Sequence, residues 1–313
     1  RYSIGQTSML NKKFSKNLFL VFLSNGIRLV LSIVSMFLIP IIFSQQHYGF
    51  YKLFLLYISY AGIFHFGFIE GIYLYYAGKN YEDLPKSTFR TFGKFLVFLE
   101  IVMSLLIFGL SFLFTGQKQI IIMLVSINIM FLNLTAYYHY ISQVTQRFKE
   151  FLLINIFYVI LNLLLIGSFF IFNISDYVLF LIFTTIINFT PLIWYLFRYH
   201  EISFGKSNGL TKEKDNISLM FKLGIPLLLS NFIAVFVTNI PKQFVESKYP
   251  IENYPDVFAN FSFAFTLLSF ANVFLTAVSI VLYPTLKKSN EDELKKSYSS
   301  FNAAIIVVTF ISI

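Results

Sequence analysis

Charged residues fall in clusters along the chain. Between the clusters lie apolar stretches, among them 101–117, 119–146, 151–175, 177–197 and 257–286, that contain no Asp, Glu, Lys or Arg. About 20 helical residues cross a hydrocarbon core about 30 Å thick. The pattern therefore predicts membrane spans near 17–43, 50–76, 95–114, 119–141, 151–172, 178–197, 219–240 and 257–283, with a further one starting near 299. Period-2 alternation is almost absent, so the spans read as helices rather than as the short strands of a membrane barrel. The expected fold is an all-α integral membrane protein.

Composition agrees with this pattern: 57% of residues are hydrophobic, 20% aromatic and only 12% charged, which a water-soluble chain does not support. Cysteine is absent, which removes a disulfide scaffold and a thiol nucleophile. The four histidines, His47, His65, His139 and His200, lack metal-ligand spacing, and no metal or cofactor is expected. No phosphate-binding loop, paired-Asp cluster or Ser-His-Asp order appears, so the chain is not read as an enzyme.

The net charge of +9 is explained by its placement. Nineteen Lys and Arg fall in the tail 1–16 and in the connections after the second, fourth, sixth and eighth spans, whereas the opposite connections hold only Lys118, Lys242 and Lys248. By the positive-inside rule the N-terminus is cytoplasmic, and no nucleic-acid partner is needed. The outer connections are short, so any activity is expected within the helix bundle. The chain begins at Arg1 and stops inside an apolar run, and it reads as a fragment of a longer protein.

The stretch 201–218, with Gly205, Ser207, Asn208 and Gly209, reads as a cytoplasmic linker. It divides a first lobe of six helices, 1–200, from an incomplete second lobe, 219–313. A short repeat supports the division: Leu23-Ser24-Asn25 recurs as Leu229-Ser230-Asn231, and the same offset carries Tyr48 onto Tyr254. The expected arrangement is two six-helix-type lobes around a central cavity, the second truncated in this chain.

Polar residues inside the spans are the candidate functional groups. Arg28 lies about 16 Å deep in the first span, at 1.5 Å per residue. It is expected either to contact an anionic substrate in a hydrated cavity or to pair with Glu70 or Glu100, of which Glu100 is placed near a span end. His65 is expected at the depth of Arg28, with proton coupling or a neutral packed ring as its two readings. His139 is assigned to the interface. Nine asparagines lie in the spans: Asn25, Asn128, Asn133, Asn155, Asn162, Asn188, Asn231, Asn239 and Asn272. Hydrogen bonding between helices is the default role for most, and Asn25, Asn231 and Asn272 are kept as candidate substrate contacts. Gly62, Gly67 and Gly71 in the second span predict a close helix approach or a bend.

The segment Asn17 to Phe43, the stretch His47-Tyr48-Gly49-Phe50-Tyr51, the sequence Gly67-Phe68-Ile69-Glu70-Gly71-Ile72 and the second-lobe opening Lys222-Leu223-Gly224-Ile225-Pro226-Leu227 together resemble bacterial polysaccharide flippases. These are the O-antigen and capsule repeat-unit translocases of the multidrug/oligosaccharidyl-lipid/polysaccharide exporter superfamily. The resemblance covers essentially the whole chain. It implies alternating access and export of undecaprenyl-diphosphate-linked oligosaccharides across the bacterial inner membrane, for lipopolysaccharide or capsule biosynthesis. A polysaccharide polymerase and glycosyltransferases are the implied partners. Lys242 stands where relatives often carry an acidic residue, which weakens any carry-over of ion coupling there, and coupling to protons or sodium stays open. The alternatives are a multidrug or cation antiporter of the same superfamily, a peptidoglycan-precursor lipid flippase, and a non-transport scaffold.

Overall fold

The computed structural model of the chain describes residues 3–268 of the 313. Its regular elements are all helical: α1 (Ser3–Ile42), α2 (Gln45–Ile58), a 3-10 turn (Ala61–His65), α3 (Phe68–Tyr76), α4 (Lys86–Ser111), α5 (Gly116–Val144), α6 (Phe148–Ile171), α7 (Tyr177–Arg198), α8 (His200–Ser203) and α9 (Lys214–Lys248). Six of these are long and apolar enough to cross a membrane, and the bent pair α2 and α3 meets the same length and composition only when its two parts are taken together. The architecture is that of an all-α, multi-pass membrane protein. Residues 1–259 form one compact unit that includes α9, and 260–313 form a second. Of the second unit only 260–268, which are helical, are described. The remainder of the expected span 257–283, the span from 299 and Asn272 lie outside the described residues.

Apolar side chains cover the exterior of the bundle, with Phe98, Leu105 and Leu113 on α4 and its C-terminal turn all exposed. This suits lipid, which solvates such groups but offers no partner for backbone N–H and C=O. The interior holds an aromatic cluster that includes Phe68, Phe89, Phe92, Tyr137, Tyr138, Tyr195 and Tyr199. Tyr137 donates to the Phe89 carbonyl at 2.8 Å, so the phenol is satisfied without water. Pro191 lies inside α7 and cannot donate to the Ile187 carbonyl one turn earlier. Thr190 does so instead, at 2.7 Å.

The second expected span is broken rather than continuous. Phe66 and Gly67 both adopt left-handed backbone, φ 53° and 84°, and α3 leaves the preceding helical segment at 61°. Close packing on α9 accounts for the glycines. A Cβ on Gly71 would lie 1.9 Å from the Met220 carbonyl oxygen, and one on Gly224 would lie 1.8 Å from that of Gly67. The two glycine-containing motifs, far apart in sequence, are thus the two halves of one backbone-to-backbone crossing.

The connections sort onto two ends of the bundle. At one end His47 Nδ1 lies 2.8 Å from the Ser175 carbonyl, and Lys118 pairs with Glu246 at 2.6 Å. At the other, Arg147 bridges Glu82 and Glu150, and Arg198 also reaches Glu150. The stretch after α8 is docked rather than loose. Arg90 donates to the carbonyls of Glu201 and Lys206, Lys94 reaches Ser207, and the Asn208 amide donates to Thr91 at 3.0 Å. Glu213, at the start of α9, is buried and accepts hydrogen bonds from Thr88, Asn208 and Asn216. Burial by itself would raise its carboxyl pKa; the three hydrogen bonds and the charge of Lys212 outweigh burial and hold it below the ordinary glutamate value.

Candidate substrate cavity

Arg28 sits in the membrane-crossing part of α1, which runs from Phe19 to Ile42. At 1.5 Å per residue it lies about 14 Å from the first and about 21 Å from the second. Its Nε and Nη2 both donate to Asn155 Oδ1 on α6, at 3.0 and 2.6 Å. Asn155 Nδ2 in turn donates to Ser24 Oγ at 2.6 Å, one helical turn before Arg28. Ser24 and Asn155 are both buried. The small Ser24 hydroxyl thus orients the amide, and the amide fixes the guanidinium plane. Arg28 itself is exposed on the bundle.

Arg28 is one wall of a cavity of about 230 Å³ between α1, α5, α6 and α7, shared with Thr135, His139, Asn155, Tyr158 and Asn188. Two polar atoms in this wall, Thr135 Oγ1 and His139 Nε2, are buried with no hydrogen-bond partner among the described residues. Tyr158 donates to Asn188 Oδ1 at 3.0 Å, Asn188 donates to Asn128 Oδ1 at 2.7 Å, and Asn128 reaches Thr185 at 2.7 Å. This relay holds the far wall rigid. Among the described residues that line the cavity there is no carboxylate, and the formal charge is that of Arg28. Guanidinium N–H groups beyond those bound to Asn155 are suited to oxyanions.

The other candidates are placed elsewhere. His65 and Glu70 are both buried at the break in the second expected span. His65 Nδ1 approaches Glu70 Oε2 to 3.3 Å, but without hydrogen-bond geometry, and neither atom has another partner among the described residues. Glu70 lies in the first turn of α3. Neither residue lines the Arg28 cavity. Among the described residues, Arg28 forms no ion pair with Glu70 or Glu100. Asn25 on α1 and Asn231 on α9 are exposed.

Two placements correct the sequence reading. Glu100 is fully buried in the middle of α4 rather than near a span end, because α4 begins at Lys86, nine residues before the apolar window. Asn133 donates to Glu100 Oε2 at 3.0 Å and to the Ala61 carbonyl at 2.9 Å, tying the carboxyl to the broken turn. His139, near the C-terminal end of α5, turns into the bundle: its ring packs edge-on against Phe151 and Tyr195, and the residue lines the Arg28 cavity. The sequence named Asn155 and Asn188 only as general helix-to-helix contacts, and offered no sign of Thr135 or Tyr158.

No protein-family model, curated protein or solved structure matches the chain.

Proposed function

We propose that the protein is a membrane transporter that moves an anionic, lipid-linked saccharide between leaflets, with its N-terminus on the cytoplasmic side of the bacterial inner membrane. The observation that carries this reading is Arg28: a cation well inside the apolar part of α1, held by a neutral amide rather than a carboxylate, in the wall of a largely apolar cavity. An intramembrane charge that no opposite charge neutralises is costly unless it serves a ligand or a hydrated path. A diphosphate with attached sugars meets a prohibitive barrier in hydrocarbon. A cationic recess lowers that barrier while the polyprenyl tail stays in lipid. The broken second span, packed backbone-on-backbone against α9, supplies a discontinuous element of the kind transporters use. No bond is made or broken in this cycle, and substrate must bind modestly in both states if it is to be released. Sugar transferases and a polymerase acting on the carried lipid are the implied partners.

The test is direct: reconstitute the chain in vesicles loaded with a fluorescent diphosphate-linked oligosaccharide lipid and measure its accessibility to an external quencher. Protein-dependent equilibration between leaflets supports the reading, and rates equal to those of protein-free vesicles refute it.

A second reading, cation-coupled antiport, is favoured by the buried acid groups beside the break: Glu100 and the Glu70–His65 contact. It predicts that an imposed proton gradient drives uptake of an organic cation and that Glu100→Gln abolishes it, with Arg28→Ala having little effect.

A further inference from the structure

A second cavity, of about 310 Å³, opens between α4, α5, α7 and α8 at the end of the bundle where α4 begins. Its depth is apolar, with Val97, Leu134, Leu192, Leu196 and Phe204, and Arg90 and Lys94 form its polar rim. The two cations are four residues apart and share one face of α4. Both lie just ahead of the apolar window that begins near 95, where basic side chains flanking a span meet head groups. Among the described residues neither cation pairs with a carboxylate. Both are held instead by the linker, through the carbonyls of Glu201 and Lys206 and the Ser207 hydroxyl.

Gly205 makes this possible. Its φ of +114° and its contact with Arg90, where a Cβ would lie 3.1 Å from Cζ, let the linker backbone lie flat against the guanidinium. The guanidinium is therefore oriented before any ligand arrives, and three of its five N–H donors remain beyond the two linker bonds. Exposed Phe98 and Phe197 on α4 and α7 leave the surrounding surface open to lipid.

We propose that this cleft binds an anionic phospholipid, with its phosphate on Arg90 and Lys94 and part of one acyl chain against Val97, Leu192 and Leu196. Charge complementarity selects the ligand: paired cations with spare donors stand at head-group level above an apolar slot, as in basic pockets between membrane helices. The inference does not depend on what the protein transports. Bound lipid would fasten the linker against α4, because the same two side chains hold both.

Native mass spectrometry of the chain released from nanodiscs containing equal phosphatidylglycerol and phosphatidylcholine tests this. The wild type is expected to retain phosphatidylglycerol selectively, and Arg90→Ala combined with Lys94→Ala to reduce retention by roughly 30-fold, for two lost basic contacts. Arg147→Ala, which removes a cation at the same end that Glu82 and Glu150 already neutralise, is expected to match wild type. If the double variant does not fold, Lys94→Glu leaves the Arg90 bonds to the linker in place, and Val97→Trp fills the slot without changing charge. Each is expected to lose most of the retained lipid. Unchanged retention in either folded variant, or equal retention of phosphatidylcholine by wild type, overturns the proposal.

Discussion

Gly224 of α9 lies so close to Gly67, at the start of α3, that a Cβ added to it would sit 1.8 Å from the Gly67 carbonyl oxygen. Neither backbone can retreat, because Gly71 on the same helix meets the Met220 carbonyl in the same way. Gly224→Ala is therefore expected to destabilise the fold by about 3 kcal/mol or more, an overpacking cost at the upper end of its range. Gly109→Ala and Gly167→Ala, at helical sites where nothing lies within 4 Å, are expected to be neutral or to stabilise by up to about 1 kcal/mol. Thermal unfolding in detergent, followed by size-exclusion monodispersity, separates the two classes.

Asn133 carries two interactions at once, to Glu100 and to the Ala61 carbonyl. Asn133→Leu leaves the buried Glu100 Oε2 without its donor, at a cost of about 1–3 kcal/mol. Pairing it with Glu100→Leu removes that orphan, so the double variant is expected to be more stable than Asn133→Leu alone. Equal or lower stability of the double variant contradicts the bridging role.

The docked linker is expected to weaken in acid. The folded pKa of Glu213 is lower than its unfolded value, so its stabilising contribution is present above the unfolded pKa and is lost as pH falls through the folded one. Glu213→Gln should unfold at a lower temperature than wild type near neutral pH. The gap between the two should narrow as pH drops below the ordinary glutamate range. A gap independent of pH contradicts the assignment.

Hydropathy located the crossings because lipid imposes a minimum apolar length on each one. The apolar window starts later than α4, because Lys86, Arg90 and Lys94 belong to the helix but not to the window, and it therefore puts Glu100 nearer a span end than the middle of the helix it occupies. Gly62, Gly67 and Gly71 did signal a bend or close approach; their partner Gly224 lay in a motif whose packing role no local pattern could reveal. The site was less legible. The depth of Arg28 followed from counting residues, but its partner Asn155 is 127 positions away, and only tertiary packing distinguishes that asparagine from the others. Sequence position does not tell that His139 lies on the face of α5 that turns inward.

Orientation can be measured independently of transport. The chain has no native cysteine, so single cysteines at Ser87, Ser207 and Ser247 report without background. Ser87 and Ser207 are expected to label from the cytoplasmic side only, and Ser247 from outside. Labelling of Ser87 or Ser207 in intact cells by an impermeant reagent contradicts the proposed orientation.

The central claim is that Arg28 supplies the positive charge through which an anionic lipid-linked saccharide passes. The deciding measurement is translocation of a labelled diphosphate-linked oligosaccharide by Arg28→Ala and Arg28→Lys in vesicles, normalised to monodisperse folded protein. Arg28→Ala is expected to lose about 10- to 100-fold in rate, the scale of one charge-assisted hydrogen bond. Arg28→Lys is expected to keep an intermediate rate, because it retains charge but not the planar fork that grips Asn155. A well-folded Arg28→Ala protein that translocates at the wild-type rate would contradict the account.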